Sequence, residues 1–122
     1  MRPALADLVE LFVRRGPLLR AFFDAARLDE TFEELWDGRI MGMFHLAVAG
    51  QIRRQQAAGL VGPEIDPDEM ARALNGLDER YLVARLGEPD PKADPGRVLD
   101  TLTRIWVGTL YPDHLDAVDP GD

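Results

Sequence analysis

The chain has 122 residues, a formal net charge of −8, no cysteine and no serine. Disulfides, thiolate metal sites and Ser or Cys nucleophiles are therefore excluded, and an acidic chain without a basic cluster is a poor partner for phosphate backbones. No apolar run reaches the roughly 18 residues of a membrane span and no signal-peptide pattern opens the chain, so the expectation is one soluble, cytoplasmic domain with a single core.

Pro3 to Arg14 reads as a first helix, with Leu5, Leu8, Val9, Phe12 and Val13 on one stripe. Arg15-Gly16-Pro17 should break it, and Leu18 to Arg27 should form a short second helix burying Leu18, Leu19, Phe22 and Phe23. Asp29 caps a third segment that runs unpunctuated to about Gly59. Its start is amphipathic. Its middle, Ile40 to Val48, is apolar nearly all round and should be enclosed by other helices. Gly38, Gly42 and Gly50 lower its helix propensity, and they permit close backbone approach or leave room beside a cavity.

Asp66-Pro67 then opens a helix expected over Pro67–Leu86, with Glu69 placed to complete a capping box. Met70, Leu74, Leu77 and Tyr81 form an apolar stripe, while Arg72, Glu79 and Arg80 lie toward a charged side. A third stripe, Ala71, Asn75, Asp78, Leu82 and Leu86, is apolar at both ends and polar in the middle. If that face is buried, its amide and carboxylate must find partners in protein, in water or in a bound molecule. For Asp78 the plainer alternative is an ion pair with Arg80 or Arg85, or with another helix. Asp94-Pro95 starts a last helix, to about Tyr111, that is apolar on more than one side. Either it is central or a second chain covers it. Pro112 onward reads as an acidic, frayed tail. No strand alternation appears, so the fold class is all-α, an antiparallel bundle of about five helices, with 1–111 as the domain and 112–122 as the tail.

His45 and His114 fall on different elements with no metal-ligand spacing. His45 is expected as a hydrogen-bonded core histidine or one at a cavity edge. Glu33, Glu34 and Asp37 read as a solvated face, because no base or nucleophile accompanies them. No metal, no cofactor and no enzymatic activity is expected. The aromatic and methionine residues have two readings. One is a filled core. The other is a ligand cavity, favoured by Asn75 and Asp78 on an apolar face and by Gly38 and Gly42 beside Trp36 and Met43.

The run MARALNGLDERYLVARLGE at 70–88, VLDTLTRIWVGTLY at 98–111 and Glu34-Leu35-Trp36 resemble the C-terminal domain of the tetracycline-repressor (TetR) family, in its mycobacterial ethionamide-response branch. The similarity runs from about Leu5 to Tyr111. It implies a regulatory domain that takes a small lipophilic effector within each subunit and forms a homodimer through helices 67–86 and 94–111. By this resemblance Asn75 matches an effector-contacting asparagine, and Trp106 a pocket tryptophan. Leu5, Leu8, Phe12, Ile40, Met43, Leu46, Ala47, Leu82 and Val83 match lining positions. Asp78 departs from the pattern, since the branch carries a second asparagine there. A carboxylate at that point accepts hydrogen bonds and favours donors or cations. The family's helix-turn-helix has no counterpart in the sequence, which reads as an excised regulatory domain or a product shortened at its start. No nucleic-acid binding by this chain alone is expected.

Overall fold

Aspartates fix where three helices begin. Asp29 accepts from the amides of Thr31 and Phe32, Asp66 from those of Asp68 and Glu69, and Asp94 from that of Gly96. At Asp66 and Asp94 a proline follows in the first turn, where its missing N–H costs no bond. The helix beginning at Asp66 thereby occupies the expected span, Pro67–Leu86 (α4), and that at Asp94 runs over Pro95–Leu110 (α5).

The computed structural model describes residues 1–118, and among these it is all-α, with no strand. The remaining elements are α1 (Arg2–Leu28), α2 (Glu30–Glu33), a π-helical stretch (Glu34–Met41), α3 (Gly42–Ala57) and a 3₁₀ turn (Pro112–Val118). α2, the π stretch and α3 follow without a break, because the caps between them stay helical. The bundle therefore has four long rods rather than about five. The difference lies at Arg15-Gly16-Pro17, which kinks α1 at Arg15 (φ −128°, ψ 21°) without ending it. Proline removes one ladder bond and bends the rod, and packing on both sides of the bend holds it together.

α4 is the hub: α1, α3 and α5 all pack on it, and α1 also lies along α5. The core is built from Leu5, Val9 and Phe12 of α1, Ile52 of α3, Leu74, Leu82, Val83 and Leu86 of α4, and Val98, Leu102, Trp106 and Leu110 of α5. Gln56 donates to the carbonyls of Gly62 and Ile65, at 3.0 and 2.8 Å, which folds the α3–α4 loop back onto the bundle.

Two further expectations change, and of the two alternatives left open for α5 the central placement is the one found. The middle of the third rod is not enclosed: Met43 and Leu46 are 72% and 73% exposed, and Phe44 is half-exposed. α3 packs on α4, and α1 packs on α2 and the π stretch, which leaves the outer face of α3 at Met43 and Leu46 uncovered. α5, apolar on two sides, carries no exposed large hydrophobic residue, because α1, α4 and the 3₁₀ turn cover it within the chain. Of the expected tail, Pro112–Val118 forms that 3₁₀ turn, and residues 119–122 lie outside the described residues.

Of the two alternatives for Gly38 and Gly42, close backbone approach or room beside a cavity, the structure shows no tight approach there, and both glycines line a surface groove, whereas backbones do meet closely at Gly16. A Cβ there would stand 2.0 Å from the Leu86 carbonyl oxygen, whereas at Gly38 it would meet nothing within 4 Å. Gly16→Ala must push α1 off the end of α4 and should lower stability by about 1–3 kcal/mol. Gly38→Ala should leave stability unchanged or raise it by up to ~1 kcal/mol. Urea denaturation of both variants checks the contrast, and equal effects would contradict the packing at Gly16.

Candidate functional site

Three polar positions within one turn on the inner side of α4 each meet a ring from a different element. Asn75 Nδ2 donates to His45 Nδ1 of α3 at 3.1 Å. Trp106 Nε1 of α5 donates to Asp78 Oδ1 at 2.9 Å. Trp36 Nε1 of the π stretch donates to Glu79 Oε2 at 3.0 Å. Residues three and four apart share a helix face, so Asn75, Asp78 and Glu79 sit within one turn of each other. The expected polar stripe is thus inward: Ala71, Asp78, Leu82 and Leu86 are buried and Asn75 is half-buried. Asp78 pairs with neither Arg80 nor Arg85; its partner is an indole. Glu79, assigned to the charged side, is half-buried and belongs with the site.

Two voids flank this turn of α4. The larger, about 410 Å³, is lined by residues including Leu5, Leu8, Ala47, Ile52, Asn75, Asp78, Trp106 and Tyr111. The smaller, about 240 Å³, is lined by Leu8, Phe12, Trp36, Ile40, Met41, Asn75, Asp78, Glu79 and Leu82 among others. Leu8, Phe44, Asn75 and Asp78 border both, so the voids are neighbouring lobes around a shared polar pair. Their walls are otherwise mostly aliphatic and aromatic, which is the make-up of small-molecule sites.

Ten of the residues singled out from sequence therefore border one lobe or both: Leu5, Leu8, Phe12, Trp36, Ile40, Ala47, Asn75, Asp78, Leu82 and Trp106. Three do not. Met43 and Leu46 lie on the outer face of α3, on a separate groove with Arg39 and Arg72. Val83 is packed in the core and borders neither lobe. Phe44, Val48, Gln51, Ile52 and Tyr111 were missed. For Phe44 and Val48 the apolar periodicity holds no signal, because a segment hydrophobic all round does not say which of its faces turns inward.

Burial controls the electrostatics. Asp78 is 3% exposed, and desolvation pushes its carboxyl up to about 6, with the Trp106 hydrogen bond pulling the other way. Glu79 is raised for the same reason, again opposed by its indole partner. His45 is held below its usual value, first by desolvation and then by Arg72, with Asp37 opposing. Among the described residues no fully buried side-chain oxygen or nitrogen lacks a partner. Asp78 Oδ2 receives no protein donor, so it keeps contact with the void. Among the described residues no group of three or more His, Asp or Glu is placed to hold a metal, and no helix is long and apolar enough to cross a membrane.

The raised Asp78 value fixes the sign of a pH effect. Between the unfolded value near 3.8 and the folded value about 6, the native chain binds more protons, so stability falls as pH rises through that window. At about 1.4 kcal/mol per pH unit, keeping Asp78 ionised costs on the order of 3 kcal/mol above the window. Asp78→Asn retains an acceptor for Trp106 and removes the charge. It should melt several degrees higher than the parent at pH 7.5 and nearly level with it at pH 4. Melting curves across pH check this, and a difference independent of pH would place the ionisation elsewhere.

Comparison with known proteins adds the lineage. Residues 1–112 match the model of the family described as "Transcriptional regulator EthR, C-terminal domain". The chain is 32% identical over 92 residues to the HTH-type transcriptional regulator EthR of Mycolicibacterium smegmatis, covering 75% of this chain and 42% of that protein. It is 33% identical over 105 residues to proteins of the same description from Mycobacterium tuberculosis and Mycobacterium bovis, covering 86% of this chain and 48% of theirs. The chain spans less than half the length of these curated relatives.

Proposed function

The chain belongs to the EthR C-terminal-domain family of TetR-type transcriptional regulators, and from that footing we propose that it is the effector-sensing and dimerising part of such a repressor. Residues 1–111 form the sensing unit in this reading, with 112–122 as its tail. A small lipophilic molecule occupies the lobes beside Asn75 and Asp78, and the DNA-binding function resides outside these residues. The observation that carries the reading is the polar pair of buried Asp78 and half-buried Asn75, facing space that no side chain fills. A helical scaffold with a filled core would close a void of about 410 Å³, since unfilled volume forfeits packing contacts.

Dimerisation is assigned to the faces of α4 and α5 turned away from the core. On α4 these carry Ala73, Gly76, Leu77 and Ala84, all exposed and mostly small, which permits close helix approach. The void lies against the inner side of the same helix. A ligand that prefers one placement of α4 against α3 and α5 shifts the population of dimer geometries, which is linkage between two sites.

Thermal-shift screening with lipophilic compounds that bear a hydrogen-bonding group tests the sensor. A ligand at one hundred times its Kd adds about 2.7 kcal/mol, a rise on the order of 10 °C for a domain of this size. Asn75→Leu should remove the shift. Sedimentation at micromolar concentration should give a dimer, and Leu77→Arg should give a monomer. A panel without any concentration-dependent shift would end the effector reading, and a monomeric parent would end the dimer.

A further inference from the structure

Resting on that cavity reading, we infer that the molecule this site is built to hold is a cation, a lipophilic primary or secondary amine whose ammonium group bridges Asn75 Oδ1 and Asp78 Oδ2. Of the polar atoms bordering the void, the two at its centre that no protein donor reaches are acceptors, Asn75 Oδ1 and Asp78 Oδ2, while Gln51 and Tyr111 stand farther along the wall of the larger lobe. Asn75 commits an amide hydrogen to His45, and no donor among the described residues reaches its Oδ1. Asp78 uses Oδ1 for Trp106 and leaves Oδ2 open. These two side chains border both lobes and stand one helical turn apart. An alkylammonium offers the complementary set, with several N–H donors on one positive centre.

The charge balance points the same way. Asp78 and Glu79 both border the smaller lobe, yet no lysine or arginine borders either lobe. None of the ion pairs among the described residues involves Asp78 or Glu79. A buried carboxylate without a counter-charge is costly, and a ligand cation supplies the missing charge where an anionic or neutral ligand does not. The rings of Trp36, Phe12 and Phe44 in the adjoining wall suit the alkyl or aryl body of such a ligand and can face its positive end. The chain's net charge of −8 adds a long-range preference of the same sign.

Three probes with one skeleton separate the chemistry: 4-phenylbutylamine, 4-phenylbutan-1-ol and 4-phenylbutanoate. Each is titrated calorimetrically and by thermal shift against the parent chain and Asp78→Asn at pH 7.5. The expected result is that the amine binds the parent at least tenfold more tightly than the alcohol, and that the acid binds weakest. In Asp78→Asn the amine-to-alcohol ratio should fall to within about twofold of unity. Two results would overturn the inference while leaving the effector site standing. One is alcohol binding equal to or tighter than amine binding in the parent. The other is an amine preference undiminished in Asp78→Asn, which would trace it to the overall charge. Binding by none of the three up to millimolar concentration overturns both.

Discussion

The hydrogen bond from the Trp106 indole to Asp78 is the contact the bundle is arranged to tolerate. A carboxylate removed from water costs far more than one neutral donor returns, so the group is held only because everything around it is fixed. Trp106 is 7% exposed and sits in the core with Leu102 and Leu110. That packing positions its N–H at the one place where α5 faces the middle of α4. The bond therefore sets the register of α5 on α4, and the void beside it follows. Closing that void with side chains would leave Oδ2 of Asp78 sealed away with no donor at all.

The same logic extends around the turn. Asn75, Asp78 and Glu79 each hold one ring, from α3, α5 and the π stretch, so a single turn of α4 senses three neighbours. These neighbours differ in how firmly they are held. α5 is covered by α1, α4 and the 3₁₀ turn, and the middle of α1 is pinned by Gly16 against the end of α4 at Leu86. The third rod packs on α4 through α3 and on α1 through α2 and the π stretch, but the outer face of α3, with Met43 and Leu46, is open. Local stability follows buried apolar contact, so this rod is the element a bound molecule would displace or order at least cost. It also carries the larger share of the cavity wall opposite Asp78, through Phe44, Ala47 and Val48.

What the sequence made legible divides along physical lines. The bounds of α4 were readable because Asp66-Pro67 is a local signal that needs no partner. Its inward stripe was readable because Ala71, Leu82 and Leu86 frame Asn75 and Asp78 at helical spacing. Glu79 was not readable: it stands at the border between two faces, and only the position of Trp36 decides which way it turns. The kink at Arg15 could be located but not distinguished from a break, because its survival depends on tertiary packing. The third rod was the hardest. Its half-buried positions step from Trp36 to Met41 by five residues and from Met41 to His45 by four. The wider π turn absorbs the long step and keeps one face on α4, which an even α-helical wheel cannot represent. Met43 and Leu46 fall on the wrong side of that wheel, and Phe44 and Val48 on the right one.

The acid at position 78 also separates fold from specificity. An amide there would offer both a donor and an acceptor, could still receive the Trp106 N–H, and would carry no charge to desolvate. The carboxylate keeps the shape of the bundle and the bond to α5 but removes the donor, so position 78 itself offers the cavity only an acceptor. It also makes the empty site less stable than its amide equivalent above the titration of the acid, and a ligand that neutralises the charge recovers that difference as binding energy. Sensitivity to the ligand and instability without it thus have one origin, because the residue that weakens the unoccupied domain is the one that gives its occupant something to bind.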